Sequence, residues 1–496
     1  MDIGAYAVTL IQSGMGTLAS YLAAHVLLCL VPAFFIAGGL TALVPKEAVT
    51  KYLGRKAPKF IAYPTAVLAG STLAVCSCTI VPLFAGIYMR GAGLGPAITF
   101  LFFAPAGNIM ALSYTGVALG ADFAIARIIL CIVFGIGIGL IMSAIFSRDD
   151  LAHAEADDIT YVGREGLKAT TLFFLLGMVV LLIAGTLKVA PLLDAYAQFT
   201  IPLQGFDQFQ DFLYRLVPFD ASKGEEGVTA QGAILIGLLG LIGLSAWRGL
   251  GRVDEGFSVW TYVSLSLIAL TLIVAAVRME PMSAGLTIHL TGKMFGIILL
   301  MAVLGYMARR FFDPYEIQQW LWETWRFVKL IFPLLVVGVF AVGVIRQFIR
   351  PEWIEAIAGQ NTLVGNLAGV VFGVFMYFPT LVEVPIAKMF LSLGMHPGPL
   401  LAYLMADPEL SLQSILITAS IIGRLKAWTY VVWVAFFSTA SGMIYGAWTE
   451  GASTWTLAAY LGIFLIILIS ILYLVNRHNQ SQQGKIVTAK VSYRND

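Results

Sequence analysis

Between residues 20 and 475 the chain is a nearly continuous succession of apolar runs, most of them long enough to cross a bilayer as α-helix, which takes about 20 residues. The runs fall at 20–44, 60–89, 95–119, 122–146, 169–189, 229–246, 258–277, 284–307, 328–349, 362–390, 398–422, 427–447 and 454–475. They predict an all-α, polytopic membrane protein of about 13 transmembrane helices. The polar remainder is a mixed-charge segment from Arg148 to Lys168, an acidic amphipathic stretch from Pro191 to Thr229 and a basic tail after Val475. No soluble catalytic domain is left over. Only 12% of the residues are charged, and 30 basic and 28 acidic side chains cancel to a net +2, so no global field draws nucleic acid. The N-terminus lacks the basic region of a cleavable signal, and the first span is expected to stay attached.

The chain also repeats itself. A shift of 303 residues lays the second run on the tenth: Gly70 meets Gly373, Val81 meets Val384, Pro82 meets Pro385, and Gly91 meets Gly394. It continues through Gly95-Pro96 with Gly398-Pro399, Pro105 with Pro408, Thr115 with Thr418, and Gly120 with Gly423. Pro32 and Pro333, two residues out of step, add one upstream run. The prediction is two four-helix repeats, 20–146 and 328–447, flanking an inserted four-helix segment at 147–327, with a last helix at 454–475 and a basic cytoplasmic tail at 476–496. Gly- and Pro-interrupted segments at corresponding positions mark secondary transporters, whose sites lie near the midplane where broken helices meet. The bland alternative is that Gly and Pro are commoner in membrane helices than in soluble ones. Lys46, Lys51, Arg55, Lys56 and Lys59, and the tail residues Arg477, Lys485, Lys490 and Arg494, are expected in the cytoplasm. With an odd number of spans the repeats are then parallel. Arg309 and Arg310 fall outside in that arrangement, and a miscount of one span would make the repeats inverted.

The chemistry concentrates at Ala74-Val-Cys-Ser-Cys-Thr-Ile-Val-Pro82. Pro82 has no amide hydrogen for the carbonyl of Cys78, which predicts a helix broken at the thiol. On an intact helix Cys76 and Cys78 face apart. In an extended segment with Ser77 between them they share a face and can bind a soft, thiophilic centre. Irregular backbone at this depth is tolerated where it lines a cavity. The alternatives are buried cysteines acting as small hydrophobes, the reading preferred for Cys29 and Cys131, and a vicinal redox pair. In the next span Pro105 frees the carbonyl of Leu101, and Asn108 offers a carboxamide to the cavity or to an interhelical hydrogen bond.

In the second repeat Cys76 corresponds to Pro379, Cys78 to Leu381 and Ile80 to Glu383, while Asp407 and Glu409 flank Pro408. Ionisable groups at membrane depth are costly and by default functional. Glu383, Asp407 and Glu409 are therefore candidates for proton coupling, with Lys388 as a partner for Glu383; the alternatives are a structural ion pair and an Asp-Pro-Glu turn at the surface. Isolated His25 and His289, with no Walker or dinucleotide motif, disfavour ATP-driven transport within this chain and a zinc or haem enzyme. Trp320, Trp322 and Trp325 read as an interfacial belt.

The string Cys-Ser-Cys-Thr-Ile-Val-Pro-Leu-Phe-Ala-Gly-Ile-Tyr-Met-Arg-Gly-Ala-Gly-Leu-Gly-Pro-Ala from Cys76 to Ala97, followed by Ala104-Pro-Ala-Gly-Asn108, resembles the signature of a predicted-permease family that includes the ArsP-type organoarsenical efflux permeases. The similarity spans both repeats, while the chain is longer than the short arsenical exporters and carries inserted spans. The resemblance implies that Cys76 and Cys78 bind cargo, with Tyr377-Phe-Pro-Thr-Leu-Val-Glu-Val-Pro385 as the facing half. Characterised members export trivalent organoarsenicals, and others are linked to copper and zinc. Two thiols complete the coordination of a singly methylated arsenic; inorganic arsenite would need Cys29 or Cys131 as a third. The expectation is a cofactor-free, multi-pass transporter of the cell inner (plasma) membrane, rather than an enzyme. It would export a thiophilic metalloid or metal with proton coupling, binding through Cys76, Ser77, Cys78, Pro82, Asn108, Pro379 and Thr380. The lipid bilayer and a small-molecule or ion substrate are its expected partners, and a homo-oligomer is left open. A membrane thiol-disulfide or quinone-linked redox protein, a copper- or zinc-type exporter, and a non-transporting membrane subunit are the alternatives.

Overall fold

The structure is a computed structural model of the 496-residue chain. It describes residues 3–23, 26–55, 57–72, 77–147, 149–150, 168–186, 190–202, 206–217, 228–282, 285–346, 352–375 and 380–453, and helical positions between 455 and 473. The first set of helices is α1 (Ile3–Ala23), α2 (Val26–Leu43), α3 (Lys46–Leu53), α4 (Lys59–Thr72), α5 (Ser77–Met89), α6 (Leu94–Ala106), α7 (Ile109–Leu119) and α8 (Ala121–Ile145). A middle region follows, with α9 (Ala169–Thr186), α10 (Ala190–Leu193), β1 (Ala195–Ile201), α11 (Phe206–Leu216), α12 (Ala230–Arg248), α13 (Val259–Ala276), β2 (Arg278–Met282), β3 (Gly285–Thr291) and α14 (Gly292–Phe311). The last set is α15 (Pro314–Arg346), α16 (Glu352–Ala358), α17 (Leu363–Phe375), α18 (Thr380–Ser392), α19 (Pro397–Leu410), α20 (Leu412–Ile422) and α21 (Arg424–Thr449).

The chain is a multi-pass helical membrane protein. Among the described residues six helices are long and apolar enough to cross a bilayer, and the pair α19–α20, bent by 47° at its break, makes a seventh if it is one span. Four of the expected spans are each divided between two helices: 60–89 into α4 and α5, 95–119 into α6 and α7, 362–390 into α17 and α18, and 398–422 into α19 and α20. The 13 residues of α5 rise about 20 Å, short of the roughly 30 Å hydrocarbon core, so a piece of this length cannot cross by itself. Proline sets the division between α6 and α7: Pro105 lies one residue from the end of α6, and Gly107 and Asn108 separate that helix from α7. Pro408 sits likewise two residues from the end of α19, with Ser411 between α19 and α20. The turns out of α7 and α20 use Gly120 (φ +111°) and Gly423 (φ +90°), a conformation that disfavours any residue with a Cβ.

The ends of these elements keep step. Helices α5 and α18 begin at 77 and 380 and end at 89 and 392; α7 and α20 begin at 109 and 412 and end at 119 and 422; α8 and α21 begin at 121 and 424, each pair 303 apart. Every residue of α6, and every residue of α19 from Gly398 onward, is buried, and the two helices touch at the middle of the bundle. Around them α5 packs on α20, α7 on α18, α8 on α21 and α2 on α15, so each set reaches into the other. Close approach is permitted by matched glycines: a Cβ on Gly70 of α4 would meet the Ala104 nitrogen at 3.1 Å, and one on Gly373 of α17 the Asp407 nitrogen at 2.9 Å.

The middle region departs from an all-helical reading. Strands β1 and β2 flank β3 in a three-stranded antiparallel sheet, with Phe199 opposite Ile288 and Met279 opposite Ile288 on the other side. The run 284–307, expected as one span, therefore opens as strand and becomes helix at Gly292. Its Leu-Thr-Ile-His-Leu alternation suits a pleated strand as well as hydropathy suits a helix, which is why apolar length alone misassigned it. The tryptophans are not a simple belt: Trp320 Nε1 donates to the Phe35 carbonyl at 2.8 Å, and Trp325 is buried.

Candidate functional site

Where α6 gives way to α7, the break is closed by neutral groups. Asn108 accepts from the Ala111 amide through its side-chain oxygen at 2.9 Å, capping α7, and donates to the carbonyls of Ala104 (2.9 Å) and Pro105 (3.1 Å). The carbonyls at the end of a helix have no intrahelical donor, and Asn108 supplies two of them. The carbonyl of Ala106 is taken instead by Arg127, which projects from the second turn of α8. Arg127 Nε donates to Ala106 at 3.0 Å, Nη1 to Thr115 Oγ1 at 2.9 Å, and Nη2 to Glu383 Oε1 at 2.6 Å. Thr115 can accept because its own hydrogen goes to the Ala111 carbonyl. Both members of the Arg127–Glu383 pair are fully buried. The guanidinium is thus tied twice to the first set and once to the last, across a boundary that the chain takes 256 residues to close.

The second break has the same place and a different chemistry. Asp407, Pro408 and Glu409 are all buried within the last turns of α19, and Ser411 caps α20 by accepting from the Ser414 amide. Tyr430 of α21 donates its hydroxyl to Glu409 Oε2 at 2.6 Å. The other oxygens, Glu409 Oε1 and Glu383 Oε2, have no hydrogen-bond partner among the described residues. Glu383 stands in the first turn of α18, where the exposed amides favour negative charge. Gln413, one turn from this break and fully buried, leaves both carboxamide atoms without a partner among the described residues.

The expected residues fare differently. Glu383, Asp407 and Glu409 are brought into one buried region, and their placement corrects two alternatives. Lys388 is exposed and is not the partner of Glu383, whose cation is Arg127 from the other set; and Asp407-Pro408-Glu409 is interior helix, not a surface turn. Asn108 acts on its own break through the three bonds above. Cys76 and Pro379 lie outside the described residues, as does His25. Ser77 and Cys78 open α5 and Thr380 opens α18, and the helix continues through the buried Pro82, so the backbone at Cys78 is helical where an extended segment was expected. A proline six residues into a helix lacks one amide without unwinding the first turn. Cys131, one turn beyond Arg127, is buried with Sγ donating to Met405 Sδ at 3.3 Å, which fits its reading as a packed thiol. No three His, Cys, Asp or Glu side chains among the described residues are grouped so as to hold a metal ion; the side chains of Cys76 and Cys78 are outside that set.

Sequence reading missed Arg127 and Tyr430. Both were within its reach, because the 303-residue shift that aligns Thr115 with Thr418 lays Arg127 on Tyr430, a polar side chain facing each break. A lone arginine in a 25-residue apolar helix is itself a signal.

Comparison with known proteins gives a family described as predicted permease, ArsP_1, matching residues 13–447. The UPF0718 protein MJ0584 of Methanocaldococcus jannaschii is 32% identical over 450 residues, 90% of this chain and 98% of that protein. The UPF0718 protein YraQ of Escherichia coli is 28% identical over 128 residues, 26% of this chain and 35% of that protein. No solved structure matches the chain.

Proposed function

The chain belongs to the ArsP_1 family of predicted permeases, and on that premise we propose that it is a secondary-active, proton-coupled exporter of a thiophilic metalloid or metal species such as a trivalent organoarsenical, working in the cell inner membrane. The observation that carries the reading is the meeting of two broken spans around buried charge: α6–α7 and α19–α20 touch at the centre, and Arg127, Glu383, Asp407 and Glu409 lie there out of water. Carboxyls are not kept in such a place for stability, since a buried ion pair is weak support for a fold and an unpaired buried charge a large cost. A duplicated origin is supported by helix ends that fall 303 residues apart and by the exchange of contacts, α5 with α20 and α7 with α18. Two halves that each lend a short helix to the other can rock about a site between them, which is how alternating access works in such folds.

Cys78 lies in the first turn of α5 and Thr380 opens α18, the short helices that cross between halves, and in sequence Cys76 and Pro379 immediately precede those helices. Thiolate donors select soft centres, and this pair is the one feature here that favours arsenicals or soft metals over hard cations. Transport by the purified chain in liposomes tests the reading. Flux of a trivalent methylarsenical that is present in wild type and lost in Cys76→Ala and Cys78→Ala, with both variants still inserted, is the expected result. Unchanged flux in the double variant would remove the thiols from the mechanism, and no flux of any thiophilic cargo without a partner would remove the exporter.

A further inference from the structure

Charge balance separates what the two breaks can do. Three carboxyls, Glu383, Asp407 and Glu409, share the buried region with one guanidinium, Arg127. Arg127 is engaged with Glu383 at 2.6 Å and is otherwise bound to its own half. With Arg127 engaged by Glu383, an ionised Glu409 would add a negative charge to a dry interior with no cation bonded to it among the described residues, a cost that buried acids avoid by keeping a proton. Glu409 has little among the described residues to offset a charge. Its Oε2 meets a neutral hydroxyl, Tyr430 of α21, and its Oε1 has no partner among the described residues.

Among the described residues, the groups facing Glu409 from its neighbours add no free cation. Helix α18 brings Glu383 and α8 brings Cys131, while Arg127 of α8 is engaged with Glu383 and lies near Asp407. Helices α6, α17 and α20, which also pack on α19, carry no titratable side chain.

We propose that the coupling proton rides on Glu409, held in place by the Tyr430 hydroxyl, while Arg127 keeps Glu383 ionised as a fixed bridge between the halves. Loading forms one O–H bond at Glu409 Oε1 with a proton taken from water on one side of the membrane. Unloading breaks that bond and returns the proton to water on the other side. Tyr430 keeps its own proton throughout and donates to Oε2 in both states. This deepens the permease reading and depends on it for the use to which the proton is put, though not for the proton's presence.

Infrared difference spectroscopy on the full chain in lipid vesicles, without cargo, reads the C=O stretch of protonated carboxyls. The expected wild-type spectrum at neutral pH holds a carboxyl band that shifts on deuteration. Tyr430→Phe should move it to higher frequency, because a C=O relieved of a hydrogen bond stiffens, and Glu409→Gln should abolish that component. The double variant Arg127→Gln, Glu383→Gln removes both charges together and should leave it in place. A spectrum unmoved by Tyr430→Phe, or a component that survives Glu409→Gln or disappears in the double variant, overturns the proposal. Should Glu409→Gln fail to fold, the Tyr430→Phe shift decides alone. Because no cargo is present, this result stands apart from the cysteine flux assay: a chain that moves no arsenical can still pass, and one that moves arsenicals can still fail.

Discussion

The two breaks answer the same backbone problem with opposite chemistry. At positions 303 apart, Ala104 stands where Asp407 does, Ala106 where Glu409 does, Asn108 where Ser411 does, and Arg127 where Tyr430 does. The first break is settled: a carboxamide with three bonds and a guanidinium on the last carbonyl leave little for a ligand or proton to change. The second puts two carboxyls in the corresponding turn and gives one of them a single hydroxyl. Where two breaks correspond in position, the satisfied one can serve as the frame and the unsatisfied one as the moving chemistry. The Arg127–Glu383 bridge is where the frame holds the other half.

That contrast breaks most readily at Arg127. Arg127→Gln leaves Glu383 as a buried acid without its cation, and losing one partner of a buried pair typically costs about 3–5 kcal/mol. Thermal unfolding in detergent should show the single variant strongly destabilised, and Arg127→Gln with Glu383→Gln much closer to wild type. A single variant within about 1 kcal/mol of wild type would mean that the bridge is not fully desolvated.

Tyr430→Phe is expected to cost less, and its size sharpens the contrast. A hydrogen bond to a neutral group contributes about 0.5–1.5 kcal/mol and one to a charged group about 1.5–3. With Glu409 carrying its proton, the loss measured at neutral pH should fall in the lower range. A loss in the upper range already at neutral pH would make Glu409 a charged counterpart of Glu383, and the two breaks would then differ less than their sequences do.

Much of this was legible in the chain itself, and the reasons differ by feature. Membrane class follows from apolar run length, and the breaks near Pro105 and Pro408 follow from a ring that cannot donate, so these needed no tertiary information. The acids at 383, 407 and 409 stand out because charge is rare at such depth. Partners are another matter. Lys388 is five residues from Glu383 and Arg127 is 256 away, and only packing of α18 on α7, beside α8, decides between them. The three-stranded sheet was hidden because hydropathy does not distinguish a buried strand from the start of a helix. Cys78 shows the limit of a local rule: Pro82 frees its carbonyl, yet α5 remains helical from Ser77 onward.

The mildest expected difference lies in the caps. Replacing a capping side chain by alanine costs about 1 kcal/mol, the loss of one satisfied amide at a helix start. Ser411→Ala should cost about that, since its hydroxyl caps α20 and otherwise meets, among the described residues, the neighbouring Ser414 hydroxyl. Asn108→Ala should cost more, because the same side chain also satisfies the Ala104 and Pro105 carbonyls, and these become buried acceptors without donors. Asn108→Ser separates the two contributions by restoring the cap without the two donors, so its stability should lie between wild type and Asn108→Ala. Equal losses for Asn108→Ala and Ser411→Ala would show that water or a neighbour takes over the freed carbonyls. The first break would then be as open as the second, and its role as frame would rest on Arg127 alone.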